Sequence, residues 1–371
     1  MGVIASRLRR AVGIIRQPSK LPAQPKQPDA PPAPPKGANS EARYLYDRAM
    51  ARGEWEPVGF SIGLGVAPCN HSCLFCPQSV HKPQKARWLD LDLLRKVLSE
   101  MPDEGVQIGL SSYSETIAAP NLVPVVRLMK EVRPKLKIAM ASNGTLFREQ
   151  VVSELMDAGL DHYSYSFDGA TREDYRKLMQ HDDFDRVWQN LEKLVEMRAR
   201  KNSKMIITTH IMAFEGRRAD FEKFRDHWKD KVDGVQWRTV ANWGGDNWGL
   251  EKQLAAEGFV PEHKTPANRY PCFSIFHHFK LQWYGTYHPC IAAVPDWTEE
   301  AENHCVPSLG DAREITWGEA WERLKDMQQA HLEGRWGEFE ACRSCNVWSV
   351  YEDVWTEKRD AAGGRRFVVE G

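Results

Sequence analysis

From about residue 58 to residue 241, short apolar runs alternate with amphipathic stretches, and this rhythm constrains the fold more than any other feature of the chain. VGFSIGLGV (58–66), VQIGLSS, KLKIAMAS, HYSYSFDG, KMIITTHIMA and GVQWRTVA read as six strands. Between them, LDLLRKVLSEM, NLVPVVRLMKEV, FREQVVSELMDAG, a long stretch from about Thr171 to Arg200, and ADFEKFRDHWKD read as five helices. The connections are short. Such a pattern means an α/β fold with a parallel sheet and right-handed crossovers. Six units are too few to close an eight-stranded barrel. On periodicity alone, an open barrel and a doubly wound sheet both fit.

The rhythm stops near residue 250. FHHFKLQWYGTYHPC reads as a β-hairpin turning at Tyr284-Gly285, and ITWGEAWERLKDMQQAHLEG as a helix stopped by Gly334. This region is expected to be a small α+β appendage. The last dozen residues, with AAGGRR, read as a loose tail. At the other end, eight prolines lie between Pro18 and Pro35, a composition for an extended linker rather than a packed element. The expected organisation is a disordered, basic and Pro-rich tail over 1–40, a core over 41–250, the appendage over 251–357 and a C-terminal tail over 358–371.

Ahead of the prolines, VIASRLRRAVGIIR is a short basic amphipathic segment. It reads either as a membrane-surface or partner anchor or as a solvated tail, and the second is preferred because so short a helix forms poorly alone. MGVIAS fits the N-myristoylation pattern, which has meaning only in a eukaryotic host.

Fifty basic residues nearly cancel fifty-one acidic ones, so nothing in the charge points to nucleic acid. No apolar run approaches the ~20 residues of a membrane-spanning helix, and AVGII is too short for a secretory core. The expected setting is the cytoplasm. There cysteines stay reduced and serve as ligands or catalysts. The eight cysteines fall into two groups: Cys69, Cys73 and Cys76, then Cys272, Cys290, Cys305, Cys342 and Cys345.

The first group follows the first strand, in a loop where parallel α/β folds bind ligands. Three thiolates can hold three irons of a cubane cluster and leave the fourth open to a bidentate small molecule, and such clusters reach potentials low enough to donate an electron. The alternative is zinc, with His71 or His81 as a fourth ligand.

Cys-x3-Cys-x2-Cys after the first strand, with Phe75 just before the last cysteine, resembles the radical S-adenosylmethionine (radical SAM) enzymes. The resemblance implies a partial (β/α)6 TIM-like barrel. It also implies a [4Fe–4S] cluster that binds SAM and cleaves it reductively to a 5′-deoxyadenosyl radical, which abstracts hydrogen from a substrate. SSYSETIAAPNL stands where the family has GGEP, with Glu115 retained and Ser114 replacing a glycine. ASNGTLF resembles its TNGT stretch and SYSFDG its S-x-DG segment. Phe75, Ser114, Glu115, Asn143, Ser166 and Asp168 are thereby implied as cofactor-binding residues. VANWGG also resembles the family, and places Trp243 near the mouth as a candidate substrate contact.

Cys272, twelve residues, Gly285, four residues, Cys290, and later Cys342-x2-Cys345 resemble the SPASM domain and its shorter twitch variant. The resemblance implies one auxiliary [4Fe–4S] cluster held by these four cysteines, with Cys305 left as a free thiol. An all-cysteine zinc site is the alternative. A fully ligated cluster suits electron transfer, so the expected chemistry is oxidation or epimerisation. His210 and Arg238, polar and inward-pointing on the last strands, are the candidates for catalysis or substrate orientation. Relatives with this pattern act on carbohydrates and aminocyclitols or on ribosomally made peptides. Peptide-acting members often begin with a winged-helix domain that residues 1–54 cannot hold, so a small polar substrate is expected. A peptide is the alternative, as is a non-catalytic metal-binding module. A reducing partner such as flavodoxin or ferredoxin is implied.

Overall fold

A computed structural model of the protein describes residues 45–50, 55–80, 82–243, 249–290, 308–359 and 365–369, with only the backbone for 112–113 and 351–353. The proposed N-terminal tail, His81 and Cys305 lie outside the described residues.

The six expected strands are present: β1 (Gly59–Val66), β3 (Gln107–Tyr113), β4 (Lys137–Ser142), β5 (His162–Asp168), β6 (Ile206–Met212) and β7 (Gly234–Arg238). They pair in parallel in that sequential order. A doubly wound sheet would reverse its strand order at a switch point. Sequential order with right-handed crossovers instead puts every helix on one face and curls the sheet into an open, partial TIM-like barrel.

Local sequence accounts for the helices. Asp90 caps α1 (Leu91–Glu100), its carboxylate accepting from the Asp92 and Leu93 N–H groups at 2.9 Å each. Pro124 falls in the first turn of α2 (Leu122–Val132), where its missing N–H costs no helical bond. α3 (Glu149–Ala158) ends at Gly159, whose φ of 92° suits glycine. The long helix expected from Thr171 is two helices, α4 (Arg172–Met179) and α5 (Phe184–Arg200). Gln180 breaks it with a left-handed φ of 56°. The polar QHDD stretch has no apolar face to bury, and its bend carries His181 and Asp183 to the first cysteine loop. α6 (Arg218–Trp228) precedes β7.

Phe60, Ile62 and Leu64 of β1 are fully buried under the helices. The alternate residues face the barrel interior, as strand pleating requires. Gly65 pairs with Trp88 of the short β2 (Arg87–Trp88). A Cβ there would lie 2.3 Å from the Trp88 ring and 2.4 Å from the Arg87 carbonyl oxygen. That approach explains one of the glycines in the GLGV run.

The appendage is not a detached layer. β8 (His278–Leu281) lies parallel to β1 on the side away from β3, and β9 (Thr286–His288) and β10 (Gly310–Asp311) extend the same sheet. The hairpin turns as expected, with Gly285 at φ 100°. α7 (Leu250–Ala256) precedes it and α8 (Trp317–Leu332) follows it. The loose C-terminal tail is corrected over part of its length. β11 (Thr356–Arg359) and β12 (Arg365–Val368) form an antiparallel ribbon, and Phe367 is buried, an apolar anchor within RRFVV that outweighs the flanking glycines. Among the described residues, no helix is long and apolar enough to cross a membrane.

Candidate functional site

The first cysteine loop leaves β1 at the barrel mouth. Its fold is fixed by polar bonds that do not involve sulfur. The Cys69 N–H donates to Gln78 Oε1 at 3.0 Å, and Gln78 Nε2 donates to the Ala67 carbonyl at 3.2 Å. Asn70 donates to Thr145 Oγ1 at 2.7 Å and accepts from Asn143 Nδ2 at 3.0 Å. Asn143 therefore clamps the loop to the end of β4. Gly144, beside it, has a φ of 74°, and a Cβ there would run into the Tyr165 hydroxyl. His71, buried in the loop, turns Nε2 toward Asp183 at 3.4 Å and stacks on His181 at 4.7 Å. Asp183 is also paired with Arg186 at 2.6 Å. Trp243 is pinned to the same loop, its indole N–H donating to the Phe75 carbonyl at 2.8 Å. Phe75 itself packs beside a small core around Leu74, Leu178 and Phe214.

Burial pushes the thiols up: Cys69 above its usual value, Cys73 well above it, and Cys76 to about 12. Glu115 adds to the rise at Cys69, and Asp168 at Cys73 and Cys76. Thiols so placed become thiolates only when a metal holds them.

Glu115 is buried behind the loop. Its carboxylate accepts from Ser142 Oγ at 2.5 Å, the Asn143 N–H at 2.8 Å and the Ile117 N–H at 3.2 Å. Burial raises its pKa against these three bonds. A carboxylate has about four acceptor directions, so one remains for an ammonium. Ser114 is half-buried at the end of β3. Ser166 lies on the inner face of β5. Asp168, at the strand's end, has a φ of 65° where the β5–β6 register shifts. That irregularity brings its Oδ1 to 3.1 Å from His210 Nε2, both side chains being buried. Arg238 lies on the inner, exposed side of β7, since Trp237 packs outward on Phe221.

In the second group, Cys272 and Cys342 each lie within electrostatic reach of the other three cysteines or two of them, so the four thiols face one site. Burial pushes Cys272 up to about 12 and raises Cys342 as well. The Cys272 N–H donates to His331 Nδ1 at 3.2 Å. Arg269 donates from Nη1 to the Arg343 carbonyl, inside the Cys342–Cys345 turn, at 3.1 Å.

Tetrahedral Zn–S bonds of about 2.3 Å would place sulfurs about 3.8 Å apart. Among the described residues, the only group of three metal-donor atoms all within 4.8 Å of one another is His71, His181 and Asp183, not any three sulfurs. As placed, neither cysteine group brings three sulfurs that close together. His71 turns Nε2 to Asp183, while its Nδ1 is buried with no hydrogen-bond partner among the described residues. All seven described cysteines are free thiols.

One feature of the sequence gave no hint of its use. Asn242 and Asn346 exchange backbone-to-side-chain bonds at 3.0 Å, and Asn242 Nδ2 donates to the Ser344 carbonyl at 2.9 Å. The consecutive residues Asn242 and Trp243 thus touch both cysteine regions. Asn70, inside the cysteine spacing, was the more legible omission.

The model of the radical SAM superfamily matches residues 68–225, and that of SPASM, an iron–sulfur cluster-binding domain, matches residues 272–346. The probable GTP 3′,8-cyclase of Methanocaldococcus jannaschii is 25% identical over 129 residues, 35% of this chain and 43% of that protein. The chain spans less than half the length of the curated relatives it matches first. The crystal structure of BtrN in complex with AdoMet and 2-DOIA is 17% identical with a TM-score of 0.50, over 80% of this chain and 95% of that one. Streptococcus suis SuiB bound to precursor peptide SuiA is 13% identical with a TM-score of 0.52, over 84% and 75%. Each family model covers one of the two cysteine groups, so the chain carries a radical SAM domain followed by a SPASM domain.

Proposed function

We propose that this radical SAM enzyme oxidises or epimerises a small polar substrate, a sugar or aminocyclitol, with the auxiliary cluster exchanging an electron. The observation that carries this reading is the polar inner face of β5–β7. His162 Nε2 lies 2.7 Å from Thr208 Oγ1, and burial together with the Arg238 charge holds His162 below its usual pKa. Ser164, Ser166 and His210 face the same space, and Gln236 and Arg238 are exposed to it. Hydroxyl and amino groups find partners on such a wall, whereas an apolar ligand would strand its donors.

When bound, the open-site cluster and SAM supply a 5′-deoxyadenosyl radical that takes one hydrogen atom. The chain's residues do the rest. Glu115 keeps one acceptor direction for the SAM ammonium. Asp168 Oδ1 lies 3.1 Å from His210 Nε2 without a hydrogen bond between them, which leaves His210 Nδ1 as the proposed proton acceptor. That Nδ1 is buried and has no partner among the described residues. It is placed to accept the proton of a substrate hydroxyl as the carbon is oxidised. Arg238 orients the substrate. Trp243, held by Phe75, supports the loop rather than the substrate. Flavodoxin or ferredoxin is the proposed electron donor.

The test is deoxyadenosine formation by anaerobically purified protein with dithionite, SAM and a panel of sugars, aminocyclitols and peptides. A sugar or aminocyclitol that is converted supports the reading. His210→Ala should still cleave SAM yet form no product. The likeness to peptide-bound SuiB keeps one rival: conversion of peptides alone would replace the small-molecule reading by peptide maturation.

A further inference from the structure

Arg269 lies three residues before Cys272, and its guanidinium is built into the second cysteine site. One N–H holds the carbonyl of Arg343, between Cys342 and Cys345. The group stacks over Trp336 at 5.3 Å and Trp348 at 5.7 Å. Two indole faces and one carbonyl leave it little freedom. Its Nε–H is buried and has no acceptor among the described residues. A buried donor without an acceptor is costly. The acceptors that would arrive at this place with a cluster are sulfurs.

Lys280 supplies a second cation. It is 2% exposed, on β8 opposite His288 and near Cys290 in the hairpin. Burial pushes its ammonium down to about 8, and the charge of Cys290 acts against that fall. Burial lowers Arg269 in the same way, opposed by Cys342, Cys345 and Cys272. Between them the two cations lie within electrostatic reach of all four cysteines.

We propose that Arg269, as counter-charge and N–H donor, with Lys280 as a second buried charge, sets the reduction potential of the auxiliary cluster. The proposal rests on the quartet holding a cluster, whatever the substrate. A cluster on four thiolates becomes more negative when it gains one electron. A nearby cation and an N–H···S bond stabilise that reduced form more than the oxidised one, and raise the potential. The first cysteine site has the opposite setting, with the carboxylates Glu115 and Asp168 buried behind it.

The experiment is an EPR-monitored redox titration in a Cys69→Ala, Cys73→Ala, Cys76→Ala background, which leaves only the auxiliary cluster. Arg269→Met should lower the reduced-to-oxidised ratio at the parent midpoint about tenfold, a shift of about 59 mV for one electron. Arg269→Lys should recover part of the shift. Lys280→Gln should move the midpoint the same way by less. An unchanged or raised midpoint in variants that keep their iron overturns the proposal. If Arg269→Met fails to hold its cluster, Arg269→Lys and Lys280→Gln decide by the same readout. A colourless, zinc-loaded parent removes the cluster and the proposal with it. An iron-loaded parent with unmoved variants removes the tuning role and leaves the enzyme reading intact.

Discussion

The two cysteine regions share a difficulty and meet it differently. Both bury thiols whose deprotonation water would otherwise support, so both depend on metal to hold thiolates. The first has three sulfurs in an eight-residue loop, and its shape comes from amide and imidazole bonds to β4 and the α4–α5 bend. The second has four sulfurs drawn from three separated segments, beside two cations. A site that must keep one coordination position open cannot be shaped by its metal alone. A site with all four positions filled can lean on its cluster for shape. Asn242 and Trp243 hold one region each, which makes the end of β7 the structural link between them.

The sharpest way to break this comparison is to remove one trio member. Cys73→Ala should cut SAM cleavage by well over the about 100-fold that outer partners of a metal site cost, while iron falls from about eight to about four per chain. Deoxyadenosine chromatography and an iron assay read both. The paired change Cys342→Ala, Cys345→Ala should leave the same iron count but the reverse phenotype. SAM cleavage should persist within a few-fold, while substrate conversion falls by about 100-fold or more. If both variants lose cleavage equally, the regions are one cooperative unit and the comparison fails.

A smaller effect separates binding from support at the first site. Glu115→Gln removes a charge-assisted bond worth about 1.5–3 kcal/mol, so KM for SAM should rise about 10- to 150-fold. A fall in melting temperature with KM unchanged would make Glu115 a strut for Ser142 and Asn143 only. The smallest effect belongs to the link. Trp243→Phe loses one hydrogen bond, about 1 kcal/mol, and should slow SAM cleavage about fivefold. No change in either cleavage or melting would show that the loop holds itself.

Much of the fold was legible because it rests on local periodicity. The Phe60, Ile62, Leu64 alternation marks β1, and Asp90 and Gly159 mark helix ends where a cap or a left-handed residue is required. The α4–α5 break was not legible, since Leu178 and Met179 continue the apolar pattern up to Gln180. Phe367 was hidden in a tail of glycines and arginines, where one buried ring anchors a ribbon. At the site, Asn143 could be marked from its stretch but not its use, since its partner Asn70 lies 73 residues away.

The sequence alone determined which donors exist and how closely they follow one another. Cys69, Cys73 and Cys76 are bound into one loop by chain connectivity, so their joint chemistry needs no folding argument. Tertiary structure decided which charges stand beside each group and which sulfurs from distant segments meet. Asp168 adds to the field at Cys76 from the end of β5, and Arg269 reaches Cys342 and Cys345 from another segment. Electrostatic interaction depends on distance through space and on burial, and neither is written in the order of residues along a chain.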